Sequence, residues 1–162
     1  QDPIELTVKH VPQEFVARLR LHPDHPERGF REYTITPRGK DASVAFWVSR
    51  KDVDSSKIGA VLRLMELFNV KILSATIYAA EASFESESYE QARNIKAQLI
   101  HWVPVGEDMP CQVVMPDATL AEGVAEGLCK RLKKDDVVQF ERFGFVRIDR
   151  ADNKLTAYYA QK

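Results

Sequence analysis

Hydrophobic and polar positions alternate cleanly at the start of the chain, in Ile4-Glu5-Leu6-Thr7-Val8-Lys9, where Ile4, Leu6 and Val8 share one face. That period of two predicts a half-buried strand of an antiparallel sheet. Similar short runs of branched and aromatic residues recur, set apart by Pro, Gly, Asp and Ser clusters. They predict strands at 4–10, 15–21, 31–36, 44–48, 61–68, 70–78, 99–103, 111–115, 120–124, 137–140, 144–148 and 155–160. The stretch 59–67 also fits a helical period. Short helices are predicted at 89–95, with Ser88 as N-cap and Gln91 as its capping-box partner, and at 125–132. Gly144, after Gln139-Phe140-Glu141-Arg142-Phe143, marks a tight turn. No βαβ pattern occurs, so the chain reads as all-β and mainly antiparallel, built as barrels or a sandwich with short helices.

Composition adds few constraints. The 162 residues are 44% apolar and 29% charged, enough for a core that folds without help. With 23 Lys plus Arg against 24 Asp plus Glu, the net charge of -1 lacks the global basic signal common among nucleic-acid binders. The charge is nevertheless uneven. Glu81, Glu85, Glu87 and Glu90 form one acidic stretch, and Lys130, Arg131, Lys133 and Lys134 one basic cluster. Two cysteines, Cys111 and Cys129, without paired ligand spacing point to a reducing cytoplasm. No run approaches the ~20 apolar residues of a membrane span. Gln1-Asp2-Pro3 leads straight into a strand without resembling a signal peptide, as expected of a domain excised from a longer protein.

Catalytic signatures are missing: there is no Gly-rich phosphate loop, nucleophile elbow or His-Glu-x-x-His. His22 and His25 alternate with Pro23 and Pro26, and no good third and fourth metal ligands follow nearby, so no metal is expected. The prolines make 21–29 a rigid loop, equally suited to structure and to binding. Gln139 and Arg142 offer an amide and a guanidinium able to bond a base edge or phosphate; the alternative is a surface Gln and an Arg paired with Glu141 or Asp149. Arg63, inside Val61-Leu62-Arg63-Leu64, must reach solvent, meet an acid such as Glu66, or face an anionic ligand. His101-Trp102, after an apolar pair, reads mainly as core.

Four stretches in order make the chain less generic: His22-Pro23-Asp24-His25-Pro26-Glu27-Arg28-Gly29, Arg63-Leu64-Met65-Glu66-Leu67-Phe68-Asn69-Val70, Ile100-His101-Trp102-Val103-Pro104, and residues 138–149 around Gln139-Phe140-Glu141-Arg142-Phe143-Gly144. Together they resemble the C-terminal anticodon-binding region of archaeal glutamyl-tRNA synthetases, related to glutaminyl-tRNA synthetases, over nearly the whole chain. The resemblance implies two consecutive β-barrels, a proximal one from residues 1–49 and 97–162 and a distal one inserted at 50–96. The fold is also similar to that of a ribosomal protein family binding 5S rRNA. It implies glutamate tRNA as partner and no aminoacylation activity or cofactor in this stretch, and it leaves open whether glutamine tRNA is bound as well; a monomer is the default. ATP and magnesium would serve a separate catalytic domain of the parent ligase.

Residue by residue, the resemblance places Gln139 and Arg142 at the middle anticodon base and Arg63 at a basic position near the anticodon loop. Glu27 stands where the related loop carries an asparagine. A carboxylate only accepts hydrogen bonds and repels phosphate, so Glu27 is expected to orient Arg28 instead. The loop around Lys57 is shorter than in bacterial glutaminyl enzymes, leaving Lys57 and Lys51 as candidates for the third base. Met65 replaces an arginine position of the relatives, so a first-base contact is expected to be missing. Lys133 is the candidate phosphate contact from the basic cluster. The alternatives are a ribosome-type structural RNA binder and a protein-interaction module of a synthetase complex.

Overall fold

In the computed structural model, residues 2–21, 25–54 and 58–162 are described. Chain contacts divide the molecule into one unit spanning Ile4–Pro104 and a second built on Val105–Lys162.

The first unit holds β1 (Pro3–Lys9), β2 (Phe15–Arg20), β3 (Phe30–Ile35), β4 (Val44–Ser49), α1 (Arg50–Asp54), β5 (Val61–Leu64), β6 (Asn69–Ala75), β7 (Ala79–Ser86), α2 (Tyr89–Asn94), β8 (Gln98–Ile100) and β9 (Trp102–Pro104). Seven of these strands form one sheet in the order β8-β5-β6-β7-β1-β4-β9. Its two edge strands, β8 and β9, are separated in sequence by His101 alone. The sheet must therefore curl until its edges nearly meet, giving an almost closed barrel. β2 and β3 pair separately as a hairpin.

The predicted alternation of β1 is realised with Ile4, Leu6 and Val8 all buried. The apolar run at 61–68 resolves as a tight bend. β5 stops at Leu64, Glu66 takes a positive φ of 54°, and the Leu67 amide donates to the Leu64 carbonyl at 3.1 Å. β7 escaped the sequence pattern because alanine and glutamate have low strand propensity. Pairing on both sides holds it, antiparallel to β6 and parallel to β1 from Glu5↔Ala79 to Lys9↔Ser83. β5, β6 and β7, from the stretch 50–96, lie in the same sheet as β1, β4 and β9. The division falls between Pro104 and Val105.

The barrel core is aromatic. Phe46 and Trp102 rings lie 5.1 Å apart, Phe15 and Phe68 5.2 Å, and Phe68 and Phe84 5.4 Å. Trp102 is buried, as its apolar context suggested, and its indole N–H donates to the Met65 carbonyl at 2.9 Å.

The second unit is a five-stranded sheet of β10 (Asp108–Val114), β11 (Leu120–Glu126), β12 (Val137–Phe140), β13 (Gly144–Ala151) and β14 (Leu155–Gln161), ordered β11-β10-β14-β13-β12. Its core is small, with Met109, Cys111, Val113, Ala125, Val146, Ile148, Leu155 and Ala157 buried in it. The helix predicted at 125–132 is a shorter 3-10 turn, Gly127–Arg131. Ala125 and Glu126 stay in β11, paired with Met109 and Asp108, and the Gly127 amide donates to the Glu107 carbonyl at 2.7 Å. A side chain at Gly127 would meet that carbonyl oxygen at 2.9 Å.

Candidate nucleic-acid interface

In the second unit, Gln139 and Arg142 belong to one hairpin. β12 and β13 pair from Val137↔Arg147 to Phe140↔Gly144, leaving Glu141, Arg142 and Phe143 as the connection. The Phe143 amide donates to the Phe140 carbonyl at 3.0 Å and closes the turn. Gln139 is exposed on β12, with its neighbours Val138 and Phe140 packed against the core. Arg142 is exposed at the bend with φ of 63°, a left-handed conformation uncommon for any residue but glycine and asparagine. Holding an arginine there costs about 1 kcal/mol.

Gly144 follows with φ of 140°, and a Cβ there would stand 2.7 Å from the Gln161 carbonyl oxygen and 2.8 Å from the Tyr159 ring. Only glycine lets β14 approach so closely, and that approach fixes the hairpin carrying Gln139 and Arg142. Asp149, one acid considered as a partner for Arg142, lies 3.3 Å from Lys134 Nζ. Lys133 is exposed in the loop after the 3-10 turn, where its backbone amide donates to Asp136 Oδ2 at 2.7 Å. The Asp136 amide returns a bond to the Lys133 carbonyl at 3.1 Å, so this cation sits on a closed turn.

The remaining sequence candidates fall in the first unit. Arg28 is exposed in a 3-10 turn, Pro26–Arg28, and Lys51 is exposed on α1. Glu27, exposed in the same turn, accepts from His25 Nδ1 at 2.8 Å. Lys57, like His22, lies outside the described residues. Met65, at the replaced arginine position, packs its side chain against the barrel core.

Arg63 is the least expected of the set, being only 8% exposed. Its Nη1 donates to the Glu87 carbonyl at 2.8 Å and to Asn69 Oδ1 at 3.3 Å. Asn69 Nδ2 in turn donates to Ser86 Oγ and the Ser88 carbonyl, both at 2.8 Å. The network ties β5 and β6 to the segment that enters α2. Burial pulls the Arg63 pKa down, opposed by the nearby Glu66, Tyr89 and Glu87. Its Nε is buried without a hydrogen-bond partner among the described residues.

Beside Arg63 opens a cleft of about 320 Å³ lined also by Tyr89, Ala92, Arg93, Lys96, Ala97 and Leu99. Tyr89 and Arg93 stand at i and i+4 on α2, and Lys96 follows the C-cap Ile95 with a positive φ of 53°. The predicted cap is in place, with Ser88 Oγ accepting from the Gln91 amide at 3.2 Å. That spacing was present in the sequence but carried no weight without knowledge that a buried arginine lay behind it.

The arrangement is that of an all-β binding module presenting amides and guanidiniums from hairpins and short turns. Comparison with known proteins agrees: residues 1–86 match the family described as tRNA synthetases class I (E and Q), anti-codon binding domain, and residues 99–149 match a second family of the same description. The chain belongs to this anticodon-binding family of the class I tRNA synthetases for E and Q. Among its relatives, the glutamate-tRNA ligase of Pyrococcus abyssi is 45% identical over 99% of this chain, and that of Pyrococcus furiosus 43% over 99%. The glutamate-tRNA ligase of Methanocaldococcus jannaschii is 41% identical over 85%. The chain spans 27% of the length of the two Pyrococcus proteins and 23% of the third.

Proposed function

We propose that this chain holds the anticodon arm of glutamate tRNA for a glutamate-tRNA ligase, while aminoacylation takes place in a catalytic domain elsewhere in the parent protein. The observation that carries this reading is the β12–β13 hairpin, which exposes Gln139 and Arg142 within three residues of each other on a bend fixed by Gly144. An amide donates and accepts, and a guanidinium donates in a planar fork. Together they suit the acceptor-rich edge of a base turned out of its stack, here the middle anticodon base. Lys133, Arg28 and Lys51, all exposed, supply phosphate contacts that set affinity without reading sequence. Arg63, held inside its network, supports the fold beside the RNA.

The test is binding across a salt series to glutamate tRNA, to the same tRNA with its middle anticodon base changed, and to an unrelated tRNA. Tightest binding to the first, weakening as salt rises, is expected. Gln139→Ala should erase about 1 to 3 kcal/mol of discrimination at the middle base. Equal affinity for all three RNAs would leave a nonspecific RNA holder, and absence of binding would favour a protein-interaction module.

A further inference from the structure

The outer face of the second sheet continues from Gln139 into a row of exposed side chains. Strand alternation puts Val137 and Gln139 on one side of β12, with Val138 and Phe140 turned to the core on the other. Across the strands, Gln139 stands against Phe145, and Val137 against Arg147, which in turn stands against Tyr158 on β14. Val137 is 61% exposed, Tyr158 41%, and Arg147 keeps 45% of its side chain in solvent. The Arg147 guanidinium lies over the Tyr158 ring, 5.3 Å from its centroid, and Asp135 accepts from its Nη1. Ring and guanidinium form one fixed plate, in the row two residues or about 7 Å along the strands from Gln139.

A solvated sheet face is ordinarily polar, so Val137 and Tyr158 expose apolar surface that the fold itself does not need. Charge is not what this face offers. Asp135 offsets Arg147, and Asp149 offsets Lys134 at 3.3 Å. What is left is flat, aromatic and close to neutral, which suits the face of a base better than a phosphate. Unpaired RNA bases are stacked on aromatic rings and arginine planes in just this way. Continuity with Gln139 on the same face of the sheet favours RNA over a protein as the occupant.

We propose that Arg147 and Tyr158, with Val137 beside them, hold by stacking a nucleotide adjacent in the RNA to the one that Gln139 reads. The proposal rests on the hairpin reading and extends it from β12 to β14. A base held by its face is held whatever its identity, so the plate contributes affinity and fixes the strand while Gln139 supplies discrimination. Because the plate's charge is already offset, its contribution is insensitive to salt.

The test measures binding of the 162-residue chain to a glutamate tRNA anticodon stem-loop across a salt series. Two further stem-loops carry an abasic nucleotide at one or the other neighbour of the middle anticodon base. The variants are Tyr158→Ala, Tyr158→Phe, Arg147→Lys and Gln139→Ala, and continued protection of buried Cys111 from alkylation verifies the folding of their unit. Tyr158→Ala should bind about tenfold more weakly with its salt slope unchanged, and Tyr158→Phe should bind as the unsubstituted chain does. Arg147→Lys keeps the charge and loses the plane, so it should also weaken binding without a change of slope. One abasic stem-loop should cost the unsubstituted chain a similar loss, about tenfold, and cost Tyr158→Ala nothing further. Discrimination at the middle base should survive every plate variant and vanish only in Gln139→Ala. Unchanged affinity in Tyr158→Ala, or losses that add for both abasic stem-loops, would overturn the plate, keep the hairpin reading and leave this face to a protein contact. Discrimination that survives Gln139→Ala, or failure of the unsubstituted chain to bind any stem-loop, would overturn both.

Discussion

The two units solve the same problem with different materials. The barrel of Ile4–Pro104 buries Phe15, Phe46, Phe68 and Trp102, whose rings contact one another around its centre. The sheet of Val105–Lys162 depends on Met109, Val113, Val146, Ile148 and Leu155, and Phe140, Phe143 and Tyr159 pack only at its margin. Aromatic side chains bury far more area each, so the first core is the deeper well and the second is close to the size at which a small core becomes marginal. The difference bears on recognition. The hairpin proposed to read a base lies on the lighter unit and depends on special backbone geometry, at Arg142 and Gly144, to stay fixed. The cleft against the heavier unit rests on a buried arginine network.

The chain carries separate probes for this comparison. Both tryptophans, Trp47 and Trp102, lie in the first unit and both cysteines, Cys111 and Cys129, in the second. Burial pushes the Cys111 thiol up to about 11, so at neutral pH it is neither ionised nor accessible until its unit opens. The largest effect is expected from Phe68→Ala, which empties the centre of the aromatic cluster and should cost about 3–5 kcal/mol. Tryptophan fluorescence in urea should show the loss, with Cys111 alkylation at low urea unchanged. Accelerated alkylation would mean that the units stand or fall together.

Gly144→Ala should come next, at a cost on the order of 2–4 kcal/mol, because its backbone angle and a 2.7 Å encounter with the Gln161 carbonyl both oppose a Cβ. The pattern should invert: Cys111 becomes reactive at lower urea while the tryptophan transition holds. Middle-base discrimination should fall as well, since the hairpin loses its seat on β14. Retained Cys111 protection together with lost discrimination would separate the hairpin's geometry from the stability of its unit.

How much of this was visible in the sequence depended on whether local pattern or distant pairing decided each element. β1 was legible because its alternation is itself the signal of a half-buried strand. β7 was not, since Ala80, Ala82, Glu81 and Glu85 say nothing of a strand until β1 and β6 flank it. Gly144 announced a turn, whereas the left-handed angle at Arg142 could not be foreseen. Arg63 was recognised as anomalous, but its resolution through Asn69 and Glu87 required β5, β6 and the end of β7 to meet. Residues 89–95 were readable as a helix, and only the tertiary structure showed that Tyr89 and Arg93 line a cleft.

The smallest expected effect tests that last point. Ser88 Oγ accepts the amide of Gln91, satisfying one donor at the start of a helix only six residues long. So short a helix has little stability of its own and depends on its cap and on buried Ala92. Ser88→Ala should cost about 1 kcal/mol, and Ser88→Asp, which keeps an acceptor in place, should cost less. The loss should remain local: amide exchange of residues 89–95 quickens, while the tryptophan transition and Cys111 protection hardly move. If α2 serves only to connect β7 to β8, stem-loop affinity will not follow the exchange rate. Affinity that falls with Ser88→Ala and recovers with Ser88→Asp would instead make α2 part of the RNA-binding surface.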